Sequence, residues 1–254
     1  MVVNASGLSH YWFEKAGPAG ELLDVLVVSG TFDLSADGQP VPLAAEQEAC
    51  ALHDEFAGVV GTKLHRAVMV RDSDLVPYKP ATDILVQGHA HVPDGRLSDA
   101  WVAGVRIGPV RKLLRLHGPR QFRRRWPGWR LDGTEVIHSL MLDYRLAYGG
   151  CIDIPAELQV DDQAEVIGYP GNPAGLAWLP GPATLASLRK PLRRYVQSIA
   201  ANLQEMPAPQ IEAADMAVHQ PDQAVATQGL GPWPVGGGRV PTILPRTPVT
   251  AVTR

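Results

Sequence analysis

The residues closest to a recognisable chemistry are two histidines. His89 and His91 sit in Gln87-Gly88-His89-Ala90-His91, and on a strand the i, i+2 spacing turns both imidazoles to one face, where they could share a metal ion. Such a site needs further ligands, and Asp83, Asp94, His65 and His117 are scattered rather than at a diagnostic spacing. A structural or surface pair accounts for them more simply, so neither a metal nor a cofactor is assigned. Hydrolase and nucleotide signatures are missing: there is no G-x-S-x-G elbow, no H-E-x-x-H and no Walker loop. Gly236-Gly237-Gly238 has no strand before it and no helix after it, and so reads as linker rather than a phosphate cradle. No catalytic residues are assigned, and the chain is expected not to be an enzyme.

A second constellation is basic and aromatic. From Arg106 to Arg130 there are nine Lys or Arg and no acid, whereas Asp132 to Glu165 carries eight acids against the single basic Arg145. Within the first run, Arg120, Arg123, Arg124, Arg125 and Arg130 are interleaved with Phe122, Trp126 and Trp129. Three chemistries fit that composition. It suits a solvated loop that partly neutralises the acidic segment. It suits a protein-binding surface, in which guanidinium groups pair with carboxylates and a Trp fills a pocket. It also suits a nucleic-acid contact, in which Arg meets phosphate and the rings stack on bases. A pI near 6.2 and the lack of a nucleic-acid-binding motif put the last behind the others. Arg123, Arg124, Arg125 and Trp126 are the expected partner-binding residues.

The elements that position these groups read as mostly β. Gly (25) and Pro (23) are abundant in the 254 residues, which favours turns over long helices. Glu21 to Leu34 reads as a long strand entering the Asp37-Gly38 turn. Leu64 to Val70, Thr82 to Val92 and Thr134 to Tyr148 are further strand candidates, and Trp101 to Ile107 with Val110 to Leu116 form a hairpin across Gly108-Pro109. Breaker clusters at Tyr169 to Gly175 and Leu179 to Pro182 mark loop. Beyond them Leu185, Leu188, Leu192, Val196, Ile199 and Leu203 recur at the period of one helix face. Pro191 requires either a kink or a regular helix that starts with it in the first turn. The expected architecture is mainly β, an antiparallel β-sandwich-like domain over residues 1–175. A loop and one amphipathic helix follow over 176–212, then a Pro/Gly-rich extended tail over 213–254.

The densest apolar run, Val25 to Val28, is too short to span a bilayer, and Met1 to Lys15 lacks a signal-peptide pattern. Cys50 and Cys151 have no CxxC partner and fit free thiols. These features predict a cytoplasmic protein with no membrane contact.

Several stretches together resemble a bacterial family of domain-of-unknown-function proteins encoded in type VI secretion clusters. They are Thr31-Phe32-Asp33-Leu34, the Gln47 to Glu55 region, Asp74 through His91, the hairpin around Arg106 to Leu116, Leu142 through Gly150, and Asn172-Pro173-Ala174-Gly175, all in family order. Gly229-Leu230-Gly231-Pro232-Trp233 and Pro245-Arg246 resemble later family motifs. The resemblance implies an adaptor or chaperone that binds an effector protein or a PAAR-like module and helps load it onto the VgrG spike. It brings no catalytic residues. Where the family has Tyr-Glu-Arg-Ala-Phe-Gly-Gly, this chain reads Tyr144-Arg145-Leu146-Ala147-Tyr148-Gly149-Gly150, so an acid has become basic. The family pattern also continues past Arg254, which implies a C-terminally shortened member.

Overall fold

A computed structural model describes residues 4–17, 19–34, 41–57, 67–75, 86–159 and 166–223. The chain divides into two compact units, Met1–Ala57 with Met69–Asp83, and Gly58–Val68 with Ile84–Arg254.

The first unit is led by a ribbon of β1 (Ser9–Ala16) and β2 (Leu22–Ser29), paired antiparallel from Ser9 opposite Ser29 to Ala16 opposite Leu22. The strand expected from Glu21 to Leu34 thus ends at Ser29, and Phe32 makes only an isolated bridge with Leu43. β3 (Glu55–Ala57) pairs with β4 (Val68–Arg71). In the rest of this unit, among the described residues, side chains bond the backbone where no ladder does. The Gln47 amide accepts from Thr31 N at 2.9 Å and donates to Thr31 O and Ala44 O at 3.0 and 2.8 Å. Asp74 accepts from Ala51 N at 2.7 Å while its own N–H returns a bond to Ala51 O. The quoted motif residues here serve as polar staples for irregular backbone, whose N–H and C=O groups must find partners somewhere.

The second unit holds β5 (His89–His91), β6 (Ala100–Ile107), β7 (Val110–His117), β8 (Gln121–Arg125), β9 (Gly128–Asp132) and β10 (Ser139–Met141). Then come β11 (Tyr148–Gly149), β12 (Cys151–Asp153), β13 (Val166–Gly168), β14 (Leu176–Ala177), α1 (Pro182–Ser187), α2 (Lys190–Asn202), β15 (Glu205–Pro207) and β16 (Ile211–Ala213). The architecture is mainly β, as expected, and the pairings are antiparallel except for β11 with β14. Two three-stranded sheets dominate, in the orders β16-β7-β6 and β15-β8-β9.

Period-2 burial explains the first core. Trp101 and Ala103 on β6, Leu114 and Leu116 on β7 and Ile211 on β16 share one sheet face and cluster with Ala90 of β5 and Leu140 of β10. The β6–β7 hairpin closes across Gly108-Pro109, the place expected, with Gly108 at φ 54. A second core gathers Phe122, Tyr148, Ile167, Trp178, Leu192 and Val196.

Pro191 divides the helical stripe. Its ring cannot tolerate the carbonyl of residue i−4, so the helix stops at Ser187 and restarts at Lys190 with Pro191 in the first turn. Arg193 spans the break, donating to Ala186 O and Leu188 O at 3.0 and 2.9 Å. Thr134 to Tyr148 is not one strand: β10 covers three of its residues and Tyr144–Leu146 form a 3-10 turn. Strands β15 and β16 lie beyond the sequence-based boundary at residue 175, yet they complete sheets built from β6 to β9. Beyond them Val218 and Pro221 are also buried, Val218 at 3% exposure. The Gly229 to Pro232 motif, the triple glycine and the rest of the expected tail from residue 224 lie outside the described residues, as do His65 and Asp83.

Candidate functional site

The basic segment from Arg120 forms the β8–β9 hairpin, not a loop. Phe122 is fully buried in the second core, and alternation sends Arg123 and Arg125 to the opposite face. Arg130 lies directly across from Arg123, so these three guanidinium groups share a face. Arg125 pairs with Gly128, which leaves Trp126 and Pro127 as the two-residue tip, joined by a cis peptide bond. Trp126 is 95% exposed, more than any other large apolar residue described.

The four expected partner-binding residues divide by what they already touch. Arg123 lies 3.3 Å from Asp132 and 3.6 Å from Glu205, partly exposed ion pairs that bind the two outer strands of the sheet to β8. Arg124 donates to Ala200 O at 2.6 Å and Ala201 O at 3.2 Å and rests over the Trp129 ring at 5.8 Å. Those carbonyls are among the last four of α2, which have no partner within the helix, so Arg124 caps α2 and complements its negative end. Arg125 and Trp126 are engaged by nothing among the described residues. Arg130, which the expected set omitted, belongs with them: it faces a like charge across the strands and has no acid partner among the described residues. Its period-2 relation to Arg123 and Arg125 through a two-residue turn was the signal available.

The rest of the basic run is also dispersed. Arg115 donates to Ala214 O at 2.8 Å. Arg120 is buried, with Nε on Pro209 O at 2.7 Å and Nη2 on Glu212 Oε1 at 2.6 Å. Glu212 is 1% exposed and takes two more contacts, His117 Nε2 at 3.1 Å and Val218 N at 2.9 Å. Burial alone would raise its carboxyl, but the His117 hydrogen bond, the Arg120 charge and the Val218 N–H outweigh that and hold it below the usual range. Burial likewise lowers the Arg120 guanidinium against the opposing pull of Glu212. This network ties β16 and residue 218 to the start of β8. It fixes the base of the hairpin.

His89 and His91 share an exposed face of β5 around the buried Ala90, with imidazole centroids 6.4 Å apart. No group of three His, Cys, Asp or Glu that could hold a metal forms among the described residues. His117 is committed to Glu212, and neither Cys50 nor Cys151 is in a disulfide.

The blocks Leu142 to Gly150 and Asn172 to Gly175 interlock. Asn172 is buried, its amide donates to Tyr144 O at 2.8 Å and Tyr148 O at 3.2 Å, and its carbonyl accepts from Gly150 N and Gly175 N. A Cβ at Gly149 would collide with Asn172 O, so the crossing needs glycine. Tyr148 Oη lies 2.7 Å from both Pro221 O and Gln223 O, and burial pushes its phenol above the ordinary range. Asp143 caps the 3-10 turn by accepting from Arg145 N at 2.8 Å, and the Arg145 guanidinium donates to the same carboxylate through Nε and Nη2. These motif residues build the scaffold.

No helix among the described residues is long and apolar enough to cross a membrane. Neither a curated protein nor a solved structure matches the chain. A family model described as an uncharacterized protein conserved in bacteria, DUF2169, matches residues 19–246, nearly the whole length over which the motif blocks are distributed, and the chain belongs to that family.

Proposed function

We propose that this protein is a non-enzymatic adaptor or chaperone that binds a type VI secretion effector, or its PAAR-like module, in the cytoplasm and helps load it onto the VgrG spike. The secretion role rests on the motif resemblance. The observation that carries the binding reading is Trp126, 95% exposed at the tip of a hairpin whose base is fixed by buried ion pairs. An aromatic projecting into solvent from the tip of a paired hairpin docks with its backbone already ordered, and Trp and Arg are among the commonest interface anchors. Arg125 and Arg130 beside it favour an acidic rim on the partner and speed encounter.

The test is co-purification with the effector and PAAR-like proteins encoded beside this gene, comparing the wild type with Trp126→Ala and with Arg125→Gln, Arg130→Gln. Loss of the partner at unchanged melting temperature supports the reading. Retention in both variants refutes it. Salt-sensitive binding to generic DNA that is lost in the Arg variant would favour the nucleic-acid reading instead.

A further inference from the structure

We infer that the β1–β2 ribbon is an unfinished sheet that takes an extended segment of another protein as its third strand, one carrying a Lys or Arg flanked at i−2 and i+2 by apolar residues. The ribbon belongs to the first unit and the β8–β9 hairpin to the second, and the inference does not rest on the hairpin.

Alternation divides the ribbon into two faces. Phe13, Leu23, Val25 and Val27 point to the partly buried one. His10, Trp12, Glu14, Leu22, Asp24, Leu26 and Val28 point to the other, where Trp12, Leu22, Leu26 and Val28 are 51, 71, 53 and 54% exposed. A ribbon of two strands is marginal in water, and a third strand with an apolar face is what ordinarily completes it. Among the described residues no other strand pairs with β1 or β2.

The open edges are on the same residues. Gly17 N donates to Glu21 O in register with the strands, so antiparallel alternation places the mutually bonded pairs at Lys15–Leu23, Phe13–Val25 and Tyr11–Val27. The main-chain groups of Leu22, Asp24, Leu26 and Val28 therefore point outward from β2, and none is bonded from outside the ribbon among the described residues. An added strand would bond to the residues whose side chains form the exposed apolar face. This is the geometry of β-augmentation, where main-chain bonds give affinity and alternate side chains give specificity.

Charge selects the occupant. Glu14 and Asp24 are directly opposite on the exposed face, next to the Trp12–Leu26 pair, and neither has a basic partner among the described residues. Like charges opposite each other disfavour the ribbon, and a cation from a third strand would relieve both. That cation would sit beside Asp24, and its i−2 and i+2 neighbours beside Leu22 and Leu26. A second copy of this ribbon fits poorly, because stacking the two exposed faces would enclose four carboxylates without a cation. Acids on an edge can also serve only to repel other strands, and the experiment separates that role from recognition.

The probe is a labelled peptide of about nine residues, enough to span β2, with Val at alternate positions and Arg at the central one on the same face. Controls carry Glu in place of Arg, or N-methyl groups that block its edge hydrogen bonds. Fluorescence anisotropy on the full chain should show saturable binding of the Arg peptide. Binding of the Glu peptide, of the N-methylated peptide, and of the Arg peptide to a Glu14→Gln, Asp24→Asn variant or to Leu26→Thr should each be weaker by about tenfold or more. Equal affinity for the Arg and Glu peptides, no binding at all, or binding indifferent to both variants would overturn the proposal. So would a concentration-dependent dimer abolished by Leu26→Thr, which would make a second copy the occupant. Aggregation of the charge-neutral variant with no peptide preference in the wild type would assign the acids to edge protection and also overturn it.

Discussion

Arg124 donates to Ala200 O across 2.6 Å, so the residue that composition marks as a binding arginine is the cap of α2. Arg124→Ala should cost about 1 kcal/mol, the scale of one such hydrogen bond, and lower the melting temperature by a few degrees. Thermal unfolding checks it. Loss of partner binding without loss of stability would instead place the Arg124 side chain in the interface.

Glu212 should be the most costly single carboxylate to remove. Glu212→Gln leaves Arg120 buried without its counter-charge, a change that costs about 3–5 kcal/mol, and urea unfolding measures it. The pH dependence follows from its lowered carboxyl. The folded state holds fewer protons here than the unfolded chain, so the stabilisation is fully present above about pH 4.3, the usual Glu value, and is lost as pH falls through the lower folded value. The wild type should therefore lose stability below that pH more steeply than Glu212→Gln does. Parallel acid profiles of the two would contradict this role.

At the motif crossing, Gly149→Ala should prevent stable folding because the added Cβ meets Asn172 O, a backbone atom that cannot rotate aside. Asn172→Ala removes two buried donations, to Tyr144 O and Tyr148 O, and should cost about 2–3 kcal/mol. Soluble expression and the denaturation midpoint report both.

Much of the β architecture was legible because burial there follows period 2. The β6–β7 hairpin, with Trp101, Ala103 and Leu114 facing the core, is marked by alternation and by Gly108-Pro109 at its turn. The stripe from Leu185 to Val196 was legible too, and of its two allowed forms Pro191 takes the one with a restart. Two things were hidden. In the β8–β9 hairpin only Phe122 is an apolar residue fully buried, so its alternation is masked by arginines that lie on both faces. Strands β15 and β16 are three residues long, too short for a period to register, and owe their form to pairing with β8 and β7. The candidate site was legible in its residue types but not in its division of labour. Nothing in Arg-Arg-Arg-Trp tells which arginine meets a carboxylate, which caps a helix and which stays free; that depends on Glu205, Ala200 and Asp132, brought in from other elements.

The central claim is that Trp126 and its neighbouring free arginines hold a partner protein. The most direct measurement is titration calorimetry of the full chain against the proposed effector partner, for the wild type and Trp126→Ala, with melting temperatures in parallel. Because the Trp126 ring is 95% exposed, its truncation should leave the melting temperature unchanged. Affinity should fall by about 2 kcal/mol or more, roughly thirtyfold or greater. Equal affinity in the two proteins at equal stability would contradict the account.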